Sequence, residues 1–567
     1  VAVLVRRPQT VLRWRLLLAL VGALVLGLTP FATQPIRAAY NPPINEGDPT
    51  ACRHGLHLSC TFSAGTKDAF MYNFNRGQFG KPALSDRQAP AAVQFGLWWL
   101  YFKWQWLRDP HLQHQVWQGI LGGLFLVLGL FGGWVHFQRD RRSFWFFGTF
   151  MFTVTLLLIY YLNFRYTTSQ APELGNSVPR EPRDRDYFFL WSFSAWGVWA
   201  ALGLMYIWEN LAALIGTRDV RSGGRVATIP SPRAAIVTSP VLLIACIPLF
   251  TNWSTAPRRG QTFTRDFAHD LLDSVEPYGV LITVGDNDTF PLWYAQEVEG
   301  IRRDVVVVCT SLLNIDWYAR QIIRRPIYPY DAANGPAIYR GRQWVRPSAP
   351  PLRMSLDEAD SVPPYFQMTG PMVFNAGAIH TVVQPQILQR ADLLVLHMIQ
   401  DSYPGRPIYF SRSSAGYARQ LGLGDFVLTQ AFASKVFLPP RAQNGDTLYV
   451  AGDGWLDLPR TRALWFDVFQ GARSVVKQGD WIDQPSVGIP YLYIATGLEL
   501  SAALGATGST ALSRQAYGTA AQVARAVHLE QLLPDQPPSA QPRLPLPARD
   551  SSGVPLPPAA SPGTTPD

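Results

Sequence analysis

Charge is the scarcest property of this 567-residue chain: only 16% of its residues are Asp, Glu, Lys or Arg, where a soluble globular chain carries about 25%. The deficit points to a membrane. Lysine stands at only five positions, 67, 81, 103, 435 and 477, so the formal +9 charge rests on scattered arginines and no basic domain forms. That argues against a nucleic-acid partner. Four cysteines exclude a disulfide-built scaffold, although they allow one bridge. Nucleophile elbow, phosphate-cradling glycine loop and zinc-protease helix are all missing from the sequence.

Apolar residues, by contrast, make up 48% of the chain. A spanning helix needs about 20 of them in a row, because the hydrocarbon core is about 30 Å thick and every backbone polar group within it must be paired. Five stretches qualify: 16–30, 116–137, 144–162, 187–214 and 234–251. The first has the basic start of a signal peptide, but residues 29–33 lack a small-x-small cleavage site, so it reads as a retained helix. Arg139, Arg141 and Arg142 after the second span, with Arg218, Arg221, Arg225 and Arg233 after the fourth, mark the cytoplasmic side. The loops 30–115 and 163–186 and everything after Trp253 then lie outside, and residues 1–252 form the membrane region. The stretch 93–107 is too short and too aromatic to span and reads as an interfacial helix, its Trp and Tyr rings at headgroup level.

Beyond the fifth span, hydropathy breaks into short blocks. The pattern predicts an extracytoplasmic α/β domain over 253–489, with a helix at 262–275, a buried strand at 279–285, a helix at 291–299 and a strand at 304–309. A further helix over 386–400 and a strand over 407–411 follow. Residues 490–533 read as a helical hairpin interrupted at 505–509. In 534–567, eleven of 34 residues are proline, a composition that stays disordered.

Three places carry chemistry. Arg180, Arg183 and Arg185 sit within six residues beside a span, where forked guanidiniums suit a lipid phosphate; the bland alternative is pairing with Glu181, Asp184 and Asp186. Asp286, Asn287, Asp288 and Thr289 follow a predicted buried strand, the end of an α/β sheet where ligands bind. Asp286 and Asp288 form a D-x-D pair of the kind that holds a divalent metal, yet the same residues make turns, and Asp288 or Thr289 could cap the next helix. Cys52 and Cys60, with His54 and His57 between them, favour a disulfide in an oxidising compartment, a zinc site or free thiols being the alternatives. Cys246 and Cys309 read as inert packing residues and Glu209 as an acid that reaches water at the inner end of its span.

Three segments, 28–48, 170–188 and 285–318, together resemble a family of multi-spanning bacterial membrane proteins (DUF2723-type) related to a vertebrate membrane protein O-mannosyltransferase and to GT-C glycosyltransferases. The resemblance covers about 12–420. It implies metal-independent transfer of a sugar from a polyprenyl-phosphate carrier at the outer face of a bacterial inner membrane, with the lipid-linked sugar as donor and no cofactor. It moves the arginine loop towards phosphate binding and the D-x-D pair away from metal. Family members carry further N-terminal spans and, in their first outer loop, an Asp-Glu pair expected to supply the general base. This sequence has no such stretch, so it reads as the C-terminal part of such a protein, with an N-terminal companion segment or a protein acceptor as partner. The rival expectation is a non-catalytic, membrane-anchored envelope protein that binds a partner or glycan.

Overall fold

The computed structural model describes residues 13–47, 63–79, 82–110, 112–222, 225–440, 446–450, 454–479 and 486–534. Cys52 and Cys60 lie outside them, as does the proline-rich tail beyond Pro534. The chain divides into two compact units, residues 1–29 with 79–259 and residues 30–78 with 260–567. The segment 30–78, read from sequence as an outer loop of the membrane region, belongs with the second unit: the Asn45 N–H donates to Gln321 Oε1 at 3.0 Å.

Among the described residues, the apolar part of the chain holds α1 (Trp14–Ala39), α2 (Ala91–Trp106), α3 (Gln115–Arg139), α4 (Arg141–Leu162), α5 (Leu190–Ile215) and α6 (Pro232–Thr251), with a separate polar helix over Ala64–Phe74. Of α1 to α6, all but α2 are long and apolar enough to cross a membrane, in the five places the sequence indicates, which makes this a multi-pass membrane protein. Between α5 and α6 an antiparallel hairpin, β1 (Thr217–Ser222) and β2 (Arg225–Pro230), occupies the arginine-rich connection. Lipid tails are as apolar as the helices themselves, so close backbone approach and buried polar contacts must hold such a bundle together. Both are present. A Cβ on Gly132 of α3 would lie 1.7 Å from the Trp199 carbonyl oxygen of α5, and one on Gly203 would lie 2.6 Å from the Leu128 carbonyl oxygen. Thr155 and Ser192 share a buried hydroxyl contact at 2.7 Å, and Trp98 Nε1 donates to the same serine.

Helix α2 is present where the interfacial helix was expected, but it is not a free belt of rings. Leu97, Tyr101, Phe102, Trp104 and Trp106 are buried in the bundle, and Trp106 stacks on Phe125 with ring centres 3.9 Å apart and planes within 3°. Such stacking is worth about 0.5–1.5 kcal/mol beyond burial.

The second unit holds a seven-stranded sheet. Helix α7 (Phe263–Asp273) repeats apolar residues at Phe263, Phe267 and Leu271 and packs that face on the sheet. Strand β3 (Val280–Thr283) is buried on both faces, as its unbroken apolar run requires. Helix α8 (Asp286–Glu297) leads to β4 (Val306–Cys309), which pairs parallel with β3. Helix α9 (Asp316–Arg324) follows, then two small antiparallel pairs: β5 (Tyr365–Gln367) with β8 (Ile387–Gln389), and β6 (Met372–Ala376) with β7 (Ile379–Val383). Helix α10 (Arg390–Ser402) opens with a reciprocal cap between Gln389 and Asp392 and returns the chain to β9 (Ile408–Ser411), parallel to β3 on its other side. Strands β10 (Val427–Gln430), β11 (Ala433–Val436), β12 (Thr447–Val450) and β13 (Gly454–Asp457) complete the order β12-β13-β10-β11-β9-β3-β4. After α11 (Gly471–Gln478) come the two arms of the expected hairpin, α12 (Gly488–Ala506) and α13 (Thr510–Ala526). The hairpin is no separate domain, because Ile494, Leu500, Leu504, Ala516 and Val523 share one core with Phe267, Leu271 and Phe432.

Candidate functional site

The sheet reverses its order at β3, which has β4 on one side and β9 on the other. In open α/β sheets the crevice at such a switch point, outside the carboxyl ends of the strands, is where ligands bind. Two segments meet there: 284–289 after β3 and 411–414 after β9. Gly285 turns the chain with φ +85°, a conformation L side chains rarely adopt, and α8 begins at once. The expected ligand loop is therefore the first turn of a helix. Its N-cap is Gly285, not Asp288 or Thr289, and Thr289 Oγ1 instead donates back to the Gly285 carbonyl at 2.6 Å. Reading the helix from Pro291 placed its start too late, since the proline sits inside it.

Helical geometry then splits the four candidate residues. Asn287 is exposed and Asp286 half-buried at the open end of the sheet, whereas Asp288 and Thr289 are buried. Asp288 is only 5% exposed. Its Oδ2 accepts from Ser411 Oγ at 2.9 Å and Ser413 Oγ at 2.5 Å, so a carboxylate from one side of the switch point is held by two hydroxyls from the other. Its Oδ1 is buried without a hydrogen-bond donor. Burial pushes the Asp288 carboxyl above its usual range, against the pull of the Ser413 and Ser411 hydroxyls and of nearby backbone N–H groups. Ser414 Oγ donates to the Ser411 carbonyl at 2.7 Å, and Cys309 lies alongside with its thiol 3.8 Å from the Gly285 carbonyl oxygen. Arg412 pairs with the buried Glu499 of α12, fixing the same turn from below. Of these partners only Cys309 is named from sequence, as a packing residue; Ser411, Arg412, Ser413, Ser414 and Glu499 are not. The signal for them is three serines and an arginine standing directly behind a buried strand, at 411–414.

The second candidate lies in the first unit, on the connection from α4 to α5. Arg180 does not point outward: Nε donates to the Gly175 carbonyl, Nη1 to those of Thr167 and Gln170, and Nη2 to that of Ala171, at 2.6–2.8 Å. Four of its five N–H bonds thus shape the loop itself. Arg185 Nε lies 3.1 Å from Glu181, and its guanidinium stands over the Phe164 ring. Asp184 accepts from the hydroxyls of Ser169, Thr168 and Tyr101, and Asp186 lies 3.6 Å from Arg108. Of the arginine–acid pairs anticipated within this loop, Arg185 with Glu181 is present, whereas Asp184 is held by hydroxyls and Asp186 by Arg108 from outside the loop. Arg183 and Arg185 are half-buried. At the opposite end of α5, Glu209 pairs with Arg139 at 3.0 Å and lines a groove of about 660 Å³ with His136 and Trp208.

A family model described as TMEM260-associated domain 2 matches residues 264–356, from α7 through β4 and α9, a segment that includes Asp286 to Thr289. No curated protein and no solved structure matches the chain.

Proposed function

We propose that this chain is part of a GT-C-like glycosyltransferase that takes its sugar from a polyprenyl-phosphate carrier at the outer face of a bacterial inner membrane, its α/β domain extracytoplasmic. The observation that carries this reading is the pairing, in one chain, of a five-span membrane unit with a domain that matches the TMEM260 type, a family related to protein O-mannosyltransferases. In this reading Arg183 and Arg185 take the carrier phosphate, while Arg180 holds the loop that presents them. The aromatic bundle around α2 gives the isoprenoid an apolar wall, and in the second unit the segment Asp286, Asn287, Asp288 and Thr289 is an acceptor or ligand loop. Guanidinium forks suit a phosphate that must be gripped in the ground state and held as it leaves.

The test is carrier binding and sugar transfer. The purified chain, alone and with an N-terminal companion segment, is given labelled polyprenyl-phosphate sugar and a protein acceptor, and binding is read by native mass spectrometry. The reading expects transfer, and a loss of carrier binding in the Arg183→Ala/Arg185→Ala variant at unchanged expression. Unaltered carrier binding in that variant sinks the phosphate role. Recovery of a stable protein or glycan partner without any transfer moves the chain to the envelope-binding alternative.

A further inference from the structure

At the opposite end of the sheet from the switch point lies a cavity of about 520 Å³ that the reading above leaves unused. His269 and Asp273 stand one turn apart on α7 and so project from one face. Glu299, just past the end of α8, accepts from His269 Nε2 at 2.6 Å and from Arg265 Nε at 2.5 Å. Gly300 turns the chain with φ +74°, and the far wall is a turn in which Asp331 gathers the Ala333 and Asn334 N–H groups and the Asn334 amide. Arg302 and Asp304 are the brace beneath it: Arg302 is bidentate to Asp304 and donates to the Leu272 and Val275 carbonyls.

The wall chemistry selects a ligand class. Four carboxyls, Asp273, Glu299, Asp304 and Asp331, face two guanidiniums and one imidazole, a balance that disfavours a phosphate or nucleotide. Among the described residues no three His, Cys, Asp or Glu side chains converge as a metal site. The volume falls inside the roughly 300–1,000 Å³ of small-molecule pockets, but the walls are rich in donors and acceptors that an apolar guest would strand. Burial pushes the Asp273 carboxyl above its usual range, against the pull of the Arg302 guanidinium 3.6 Å away, and its oxygens accept from hydroxyls. We propose that the cavity bordered by His269, Asp273, Glu299, Arg303, Asp331 and Asn334 binds a neutral saccharide of one or two rings, whose hydroxyls meet these groups as donor and acceptor in turn. The site lies wholly within the matched segment 264–356 and does not depend on the chain being a transferase.

The test is saturation-transfer NMR on the full chain in an amine-oxide detergent, which carries no sugar headgroup, with methyl α-mannopyranoside, methyl β-glucopyranoside and maltose as probes. The proposal expects ring-proton saturation from at least one probe. Asp273→Asn and Glu299→Gln should each weaken that probe about tenfold or more, while the exposed Asp357→Asn leaves it unchanged. Melting temperatures identify a variant that has unfolded, and the other variant then decides. Absence of saturation from all three probes overturns the proposal. So does equal affinity in the folded variants, or displacement of the probe by spermidine, which would show a cation site.

Discussion

The Tyr493 hydroxyl donates to Asp270 Oδ2 at 2.5 Å, joining the C-terminal hairpin to the first helix of the α/β domain inside a common core. The same carboxylate accepts the N–H groups of Gln470 and Gly471, so three chain segments converge on one buried acid. A Cβ at position 471 would sit 1.9 Å from the tyrosine oxygen, so glycine is required there.

Burial raises Asp270 from its ordinary 3.8 to about 7, although Tyr493 and the two N–H groups pull it down. A folded-state pKa above the unfolded one means the folded protein holds its proton longer. Its contribution to stability is complete below about pH 4 and is lost as pH rises to about 7, on the order of a few kcal/mol. Asp270→Asn should therefore gain on the parent in melting temperature between pH 4 and 8. Tyr493→Phe, which removes a donor to the charged form, should lose ground over the same interval. Melting curves across that range decide, and a pH-independent difference for both variants would remove the titration from Asp270.

What was legible in the sequence follows from which signals are local. The five spans and the strands around Val280 and Val306 are continuous apolar runs, and burial on every side leaves them few alternatives. The start of α8 was misplaced because Pro291 suits the first position of a helix, while the residue that starts this one is a glycine at positive φ, which spacing does not announce. Strands β10 to β13 have four residues each, too few for a period to register; β10 pairs with its chain neighbour β11 and β12 with β13, and the longer-range pairings β10 to β13 and β11 to β9 then place them in the sheet. The site shows the same division. Asp288 could be named from its place after a strand, but Ser411 and Ser413 reach it from more than 120 positions away. Arg180 was legible as a cation beside a membrane; that its guanidinium would turn onto carbonyls depends on a fold the loop adopts only once closed.

The contact between α3 and α5 has no slack. With a Cβ only 1.7 Å from a backbone carbonyl, Gly132→Ala forces the two helices apart, because backbone cannot rotate away as a side chain would. Gly132→Ala should lower the melting temperature in detergent, and Gly132→Leu should cause aggregation or loss of the folded fraction on gel filtration. Gly119→Ala, on the same helix with open space around it, should behave as the parent. Equal behaviour of the alanine variants at 119 and 132 would mean the helices are not packed this closely.

Arg180 separates a structural from a binding role. Its four carbonyl acceptors cannot be reached by one ammonium, so Arg180→Lys should lose most of what Arg180→Ala loses, about 2–3 kcal/mol. Both should open the segment 163–186 to limited proteolysis. Protection of the segment in Arg180→Ala would show that other contacts hold the loop.

The switch-point crevice makes a sharper demand, because its central carboxyl is buried with one oxygen satisfied by two serines and the other by no donor. Asp288 is raised above its ordinary range by burial, so the stability it contributes is present at acid pH and declines as pH climbs past the usual carboxylate range. Removing the hydroxyls makes the charged form costlier still. The deficit of Ser411→Ala/Ser413→Ala against the parent should therefore widen as pH climbs above the usual carboxylate range. Asp288→Asn keeps an oxygen for the serines and cannot ionise, so its stability should lose this pH dependence. If Asn at 288 preserves the melting temperature yet abolishes ligand binding or sugar transfer, the carboxyl serves a ligand; if both survive, Asp288 is a pin between β3 and β9. An equal deficit of the double serine variant at pH 4 and pH 7 would show that the hydroxyls do not hold a carboxylate at all.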